Sequence, residues 1–416
     1  MKKKILLKGP VLTRSGYGEQ SRFALRALWS RPEQFDVYIQ PLSWGQTSWV
    51  TEADQERQWI DKTIEKTIGF IQQGGTFDMS LQITIPNEWE KIAPFNVGYT
   101  AGIEANRVSP EWIQKCNIMD KIITISHFSE KGFRESQYQG TDENTGQQVS
   151  LVNQTPMSVV GYPTKTFDNL PDLNMELPND FNFLVVAQFG PRKNLMNTVK
   201  WFLEEFKNEE VGLVIKTNLA KNCLMDREMS FDRIKAAKLK YGPDTKCKIH
   251  LLHGDMSDAE MHSLYAHPQI KALVALPHGE GFGLPLFEAA YSGIPVIATG
   301  WSGQLDYLVD ENNKEQFYNV SYDIQHVQKE AVWDTVLMKE AMWAYPRESS
   351  AKTQMRRCYE DVQNNYGFAA TSCEYASSLN ERFSEEKMLS LFADAVEKPD
   401  PKIDEWLSKL EALEEL

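Results

Sequence analysis

The chain has 416 residues, which is too long for one typical core and predicts two domains of ordinary size. Its 42% of hydrophobic and 25% of charged residues are typical of a globular protein. The net charge of −14 argues against a general nucleic-acid binder, because such proteins carry basic surfaces. No apolar run approaches the roughly 20 residues that span a bilayer.

The charge is distributed unevenly along the chain. Residues 1–165 hold equal numbers of basic and acidic residues, so the whole negative excess lies in residues 166–416. A polyanionic partner is therefore compatible with the N-terminal part alone. The five cysteines are scattered and show no CxxC spacing, which predicts reduced thiols and a cytoplasmic location. The start, MKKKILLKGP, lacks the apolar core of a signal peptide and predicts a first buried strand.

Short apolar segments alternate with helical periodicity along the whole chain. This alternation predicts two Rossmann-like domains, each with a parallel sheet covered by helices, facing each other across a cleft. Such sheets bind ligands at the carboxyl ends of their strands. A stretch rich in Pro, Asp and Asn, residues 170–180, predicts the linker. The predicted strands are 4–9, 36–42, 79–84, 95–102 and 121–126 before it, and 181–189, 211–217, 248–254, 271–277 and 294–300 after it.

A glycine-rich loop follows the first predicted strand. The stretch GPVLTRSGYGEQSR, residues 9–22, opens a helix, and its Gly16 and Gly18 would let a ligand approach the backbone closely. The spacing Gly-x-Gly-x-x-Ser, with no clear acidic residue at the end of the second strand, argues against a dinucleotide fingerprint.

Two segments after the predicted linker place cationic residues at the ends of strands. The stretch VVAQFGPRKNLMNTVKWF, residues 185–202, places Arg192 and Lys193 directly after a strand. There they could neutralise a leaving diphosphate, and the alternative is a solvated basic turn. The stretch LVIKT brings Lys216 to the end of the next strand, where it could add a third cation.

The segment ALPHGEGFGLPLFEAAYSGIPVIATG, residues 275–300, predicts a buried strand, a glycine-rich loop and a helix. The N–H groups of residues 281–284 lie at the predicted helix N-terminus, which is a natural phosphate site. Glu280 and Glu288 would repel an anion, so their position beside such a site is explained only if they face hydroxyl groups. The combination fits a sugar linked to a nucleoside diphosphate, and the alternative is a structural turn whose acids face solvent.

The same segment closely resembles the Glu-x7-Glu signature of retaining glycosyltransferases of the GT-B fold, particularly family 4. The match includes the Gly-Phe-Gly-Leu-Pro loop and the Gly-x-Pro-Val-Ile strand, and GPRKN is similar to the family's Gly-x-Arg-Lys-Asn. The resemblance implies that Glu280 contacts the donor sugar and that Glu288 binds the ribose. It implies a catalytic role for Arg192 and Lys193 at the leaving diphosphate. The loop that would hold this diphosphate comprises Gly281, Phe282, Gly283 and Leu284.

The resemblance extends more weakly to the N-terminal part. The loop with Gly16 and Gly18 is similar to the family's N-terminal glycine loop, whose amides approach the diphosphate. Many relatives carry a histidine near the end of the fourth or fifth strand, and residues 98–110 contain none. Glu104 and Arg107 are the polar candidates there. Glu104 either hydrogen-bonds the donor sugar or an acceptor hydroxyl, or forms a salt bridge within the loop.

The resemblance covers roughly residues 180–365 and predicts three parts of a GT-B chain. We expect an N-terminal Rossmann-like acceptor domain at 1–172 and a C-terminal Rossmann-like nucleotide-sugar domain at 173–365. We expect C-terminal helices at 366–416 to pack on the N-terminal domain. Their last segment, 404–416, has Trp and Leu at helical spacing.

The resemblance implies a retaining glycosyltransferase that moves a hexosyl or pentosyl group from a nucleotide-diphosphate sugar to an acceptor hydroxyl. The donor is a substrate, so no cofactor is expected. No Asp-x-Asp motif is evident, so we expect no metal ion. The acceptor is either a glycan or lipid-linked glycan, or a hydroxymethylated base in DNA, because the N-terminal sequence is similar in style to glycosyltransferases of large tailed phages. A sugar-nucleotide epimerase and a non-catalytic sugar-nucleotide or glycan-binding protein are the alternatives from other classes.

Overall fold

A computed structural model of the chain describes residues 2–45, 47–141 and 147–397. The described residues divide into two compact units. The first unit comprises the residues up to 163 together with 333–338 and 385–397, and the second comprises 164–332 and 339–384.

The first unit is built on a parallel sheet of six strands in the order β2-β1-β3-β4-β5-β8. Apolar side chains fill its strands, and Ile5, Leu7 and Leu81 are completely buried. Its strands are β1 (Lys3–Gly9), β2 (Phe35–Pro41), β3 (Met79–Ile83), β4 (Phe95–Thr100), β5 (Lys121–Thr124), β8 (Met157–Val159) and the antiparallel pair β6 (Tyr138–Thr141) and β7 (Gln148–Leu151). Its first helices are α1 (Gly16–Trp29), α2 (Gln55–Gln72), α3 (Pro110–Cys116) and α4 (His127–Glu135).

The second unit contains another parallel sheet of six strands, in the order β11-β10-β9-β12-β13-β14. Its strands are β9 (Asn182–Val186), β10 (Gly212–Lys216), β11 (Lys248–Leu252), β12 (Ile270–Ala275), β13 (Val296–Thr299), β14 (Tyr318–Val320) and the antiparallel ribbon β15 (Tyr322–His326) and β16 (Met342–Pro346). Its helices are α5 (Leu195–Glu205), α6 (Leu224–Tyr241), α7 (Asp258–Tyr265), α8 (Leu284–Tyr291), α9 (Leu305–Leu308), α10 (Glu348–Asn364) and α11 (Gly367–Arg382).

The strand order of the second unit creates a switch point. The chain enters at β9 and adds β10 and β11 on one side, and then crosses to add β12, β13 and β14 on the other side. The loops that leave β9 and β12 therefore diverge from neighbouring strand ends. A crevice at this point is where open α/β sheets bind their ligands.

The last described helix, α12 (Glu385–Glu397), belongs to the first unit. Its Phe392 packs against Phe23 of α1 and Tyr99 of β4, with ring centroids 5.2 and 4.8 Å apart. The helix before it, α11, instead packs against α8 of the second unit. After the short segment 333–338, the chain thus returns to the first unit at residue 385.

The predicted fold class is confirmed: two units each carry a parallel sheet with the helices of a Rossmann-like domain. All ten predicted strands are present. Strands β8 and β14 of the parallel sheets were not predicted, because strands of three residues are too short to show a period, and neither were the antiparallel strands β6, β7, β15 and β16. The predicted boundaries at 172/173 and 365/366 differ from the observed division. Residues 164–172 lead into the second unit, where Thr164 donates its N–H to the carbonyl oxygen of Phe383. The predicted helix at 404–416 lies outside the described residues. No helix in the described ranges is long and apolar enough to cross a membrane.

Candidate active site

Three predicted site residues meet at the switch point of the second unit. Arg192 and Lys193 follow β9, and Glu280 follows β12. The Glu280 carboxylate lies 2.9 Å from Nη1 of Arg192 and 2.5 Å from Nζ of Lys193. Glu280 is 6% exposed, whereas the two cationic side chains keep about a quarter of their surface in contact with solvent.

The surroundings decide the ionisation of Glu280. Burial alone would raise the pKa of this carboxyl, because a buried charge loses its hydration. The adjacent Arg192 and Lys193 outweigh burial and hold the pKa below its usual value. Glu280 is therefore a carboxylate at neutral pH, and it neutralises one of the two positive charges beside it.

A short turn brings the two cations to the end of β9. Pro191–Lys193 form a 3₁₀ turn, and Asn194 then takes a left-handed conformation with φ of 53° before α5 begins. Asparagine tolerates this conformation better than most residues with a side chain. The guanidinium of Arg192 also donates to the carbonyl oxygen of Gly279, at 2.7 Å. The two loops that leave β9 and β12 are thus joined by side-chain and ionic contacts.

Hydrogen bonds of the Glu280 backbone hold the loop that carries this residue. The N–H of Glu280 donates to Oγ of Ser302 at 2.9 Å, and the carbonyl oxygen of Glu280 accepts from the N–H of Gly303 at 3.0 Å. A Cβ atom on Gly303 would lie 1.9 Å from the carbonyl oxygen of Gly281, so only glycine fits there. The Gly-rich turn after β13 therefore supports the Glu280 loop.

The four residues predicted to hold a diphosphate lie at the start of α8. Gly283 is the N-cap residue in the left-handed conformation, with φ of 89°, and Leu284 is the first residue of the helix. Phe282 is buried, and the hydroxyl of Tyr307 donates to the carbonyl oxygens of Phe282 and Gly283 at 3.0 and 2.8 Å. Gly281, which precedes them, is buried. The positive end of the helix dipole lies at this loop.

Glu288 lies one turn into α8 and is half-buried. Its carboxylate accepts a hydrogen bond of 2.9 Å from the hydroxyl of Tyr265. Burial, with the charge of Glu288 beside it, raises the pKa of Tyr265 well above its usual value, so the tyrosine stays a donor. Glu280 and Glu288 therefore have different partners: two cations and a neutral hydroxyl.

Lys216 lies at the end of β10 and does not contact Glu280. Its ammonium group donates to the carbonyl oxygen of Gly254 at 2.5 Å, in the loop after β11. Burial lowers the pKa of Lys216, and the charge of Asp255 partly offsets this.

Solved structures of known proteins share this architecture. A glycosyltransferase from Rickettsia africae matches over 95% of this chain and 99% of its own, with a TM-score of 0.60 and 12% identity. HepE from Anabaena, in complex with UDP and glucose, matches over 95% of this chain and 99% of its own, with a TM-score of 0.54 and 13% identity.

The fold is GT-B. The family model of glycosyl transferases group 1 matches residues 174–330, a range that contains the Glu280 cluster and α8. The serotype-specific mannosyltransferase WbdA of Escherichia coli is 34% identical over 119 residues, which are 28% of this chain and 13% of that protein. The chain thus spans about an eighth of the length of the curated relatives that it matches.

The remaining predicted residues of the GT-B chain belong to its first unit. Gly16 is exposed at the start of α1 and has open space around it, whereas a Cβ atom on Gly18 would lie 2.0 Å from the carbonyl oxygen of Thr13. Glu104 is half-buried in the loop after β4. Burial raises the pKa of Tyr17, and the charge of Glu104 acts in the same direction.

Sequence patterns did not reveal Asp226, a buried acid of α6. Its carboxylate accepts the N–H groups of residues 219, 220 and 221, each at 2.8 Å, and lies 2.9 Å from Nε2 of His253. Asp226 thereby joins the loop after β10, which follows Lys216, to the loop after β11, which contains Gly254. An aspartate in a helical segment resembles an ordinary surface acid, and no local pattern distinguishes it.

His278 was also missed, although it lies two residues before Glu280. Its ring lies 5.5 Å from Trp343 and 4.3 Å from Tyr345, between ring centroids, and its Nδ1 donates to the carbonyl oxygen of Ala344 at 2.9 Å. Its own backbone N–H donates to the carbonyl oxygen of Arg192 at 2.8 Å. The ribbon of β15 and β16 thus supports both loops of the Glu280 cluster through one buried histidine.

Proposed function

We propose that the chain is a retaining glycosyltransferase that uses a nucleotide-diphosphate sugar as its donor. The observation that carries this proposal is the buried Glu280 carboxylate between Arg192 and Lys193, at a switch point beside a helix N-terminus. The match of residues 174–330 to glycosyl transferases group 1 supports it.

The cluster has the charges that transfer from a diphosphate requires. The leaving nucleoside diphosphate gains negative charge as the bond to the sugar breaks, and preorganised cations stabilise that charge. We assign this role to Arg192 and Lys193, helped by the N-terminus of α8. Glu280 would then exchange its cation contacts for hydroxyl groups of the donor sugar, and Glu288 would bind the ribose.

We propose a hexose as the transferred sugar and a glycan as the acceptor. WbdA is named as a mannosyltransferase, and HepE is seen with UDP and glucose, so both support a hexosyl donor. The charge distribution favours a glycan over DNA, because residues 1–165 have no basic excess to attract a polyanion and residues 166–416 carry the whole negative excess.

The test is a donor and acceptor panel followed by nucleotide release. UDP-glucose, UDP-galactose, UDP-N-acetylglucosamine and GDP-mannose would each be incubated with oligosaccharides, lipid-linked glycans and hydroxymethylated DNA. We expect release of UDP or GDP that depends on a glycan, the same rate in EDTA, and retention of the anomeric configuration by NMR. Release that depends only on hydroxymethylated DNA would refute the glycan acceptor.

Two variants separate the enzyme from the other classes. Glu280→Ala should lower the rate at least about 100-fold, as the loss of a preorganised polar contact commonly does. Glu360→Ala, at an exposed position of α10, is the matched control and should retain the wild-type rate. Conversion of the donor without an acceptor would indicate an epimerase, and donor binding without any product would indicate a binding protein.

A further inference from the structure

Helix α6 presents an unusual surface to solvent. Only one side of this 18-residue helix is buried, through Asp226, Ser230, Ile234 and Ala237. On the rest of the helix the large apolar side chains remain exposed: Leu224 by 73%, Met225 by 72%, Met229 by 51%, Phe231 by 52% and Leu239 by 63%. Exposed apolar surface of this extent, gathered on one element, is typical of an interaction site.

The exposed face has a regular composition. Leu224, Glu228, Phe231, Lys235 and Leu239 recur at intervals of four, three, four and four residues, so they lie along one stripe of the helix. Each of the five is exposed. From the N-terminal to the C-terminal end of the stripe, the side chains are therefore apolar, acidic, apolar, basic and apolar.

This order is complementary to itself when the helix is reversed. In an antiparallel pair whose two-fold axis passes between residues 231 and 232, Leu224 faces Leu239 of the second copy. Glu228 then faces Lys235 of the second copy, and symmetry repeats each contact. A two-fold interface requires this kind of self-complementary patch.

We infer that α6 is the interface of a two-fold dimer of this chain, formed by antiparallel packing of α6 against α6 of a second copy. Leucine contacts at both ends bury the apolar side chains, and Glu228–Lys235 pairs between the copies set the register. Asp232 lies near the axis and within one turn of Lys235 of the second copy, which limits repulsion between the two aspartates.

The charges favour a second copy over a membrane surface. A helix that binds anionic lipid carries basic residues along its polar face. Helix α6 also carries four basic residues outside the stripe, but Glu228 and Asp232 lie on its most exposed side, among the apolar residues, where an anionic surface would repel them. The acid and the base of the stripe are spaced symmetrically about its centre, which serves an identical partner and not a uniformly negative surface.

The test is a charge swap measured by sedimentation velocity on the full chain. We expect the wild type to sediment as a dimer, at twice the chain mass of 47.7 kDa. Glu228→Lys and Lys235→Glu should each place like charges opposite one another and weaken the dimer by about 100-fold. The double variant restores opposite charges and should return the dissociation constant to within about threefold of wild type.

The charge reversal Glu360→Lys, on the exposed part of α10, is the control and should leave the dimer unchanged. A wild type that is monomeric at all concentrations would overturn the inference. Binding of that monomer to anionic vesicles would indicate a membrane surface as the partner of α6 instead. A dimer that persists in both single variants would also overturn the inference, as would a double variant that stays monomeric while its circular dichroism and melting match those of wild type.

Discussion

Replacing Glu280 by glutamine tests the electrostatics of the cluster directly. The change removes one negative charge and keeps the size of the side chain. Arg192 and Lys193 then lose the carboxylate that lies 2.9 and 2.5 Å away. If these cations bind a diphosphate, Glu280 competes with it for them. We therefore expect Glu280→Gln to bind a free nucleoside diphosphate more tightly than wild type, although it transfers sugar more slowly.

The size of the effect follows from the contacts. Two unit charges about 4 Å apart interact by roughly 4 kcal/mol at an effective dielectric constant near 20. Water offsets most of this, because Arg192 and Lys193 are about a quarter exposed and gain hydration when Glu280 is neutralised. We expect about 1–2 kcal/mol to remain, which is roughly 5-fold to 30-fold in affinity.

Calorimetric titration with UDP and GDP measures this affinity, and the nucleotide-release assay measures transfer. Glu288→Gln is the matched control, since Glu288 accepts its hydrogen bond from the neutral hydroxyl of Tyr265. As the proposed ribose ligand, Glu288 should instead show weaker binding when it is replaced. An unchanged or weaker diphosphate affinity in Glu280→Gln would refute the competition for the two cations.

Three further sites carry predictions: Gly18, Lys216 and Asp226. Gly18→Ala should destabilise the chain by about 1–3 kcal/mol, because its Cβ would meet the carbonyl oxygen of Thr13, whereas Gly16→Ala should stay within about 0.5 kcal/mol in thermal unfolding. Lys216→Met should raise the donor KM about 10-fold. Burial lowers the pKa of Lys216, so the affinity of the wild type for the donor should fall as the pH rises through that lowered value. Lys216→Arg keeps its charge and should remove this fall, which the donor KM measured as a function of pH would show. Burial raises the pKa of Asp226, but the backbone N–H groups that it accepts lower the pKa by more, so the net effect is a decrease. The carboxylate of Asp226 therefore stabilises the folded chain fully above about pH 4, and this contribution is lost as the pH falls further. Asp226→Asn should therefore cost about 2 kcal/mol in urea unfolding at pH 7, and less at pH 3.

The fold and the centre of the site could be predicted because their determinants are local. Each buried strand is a short apolar run, and the order of strands and helices restricts the topology to a few choices. Glu280 lies inside one continuous motif, and Arg192 and Lys193 directly follow a strand. Strands β9 and β12 are adjacent in the sheet, so the ends of these two segments had to come close together.

The supporting residues could not be predicted because their partners are distant in sequence. Asp226 acts through backbone groups five to seven residues before it and through His253. His278 is held by a ribbon that begins more than 40 residues later. A side chain of either type would look the same in the sequence if it lay at the surface, and only the folded chain distinguishes the two cases.

The position of Glu280 resolves a conflict that the sequence raises. An acid beside a helix N-terminus repels the anion that such a terminus attracts. A buried carboxylate also cannot remain ionised without counter-charges. Arg192 and Lys193 meet both needs: they keep Glu280 ionised in the absence of a ligand, and they leave one net positive charge for an incoming diphosphate. In the proposed reaction the donor would supply both replacement partners at once, phosphate oxygens for the cations and sugar hydroxyls for the carboxylate. A donor that lacks either part would leave a buried charge unpaired, which would make the cluster selective for the intact nucleotide sugar.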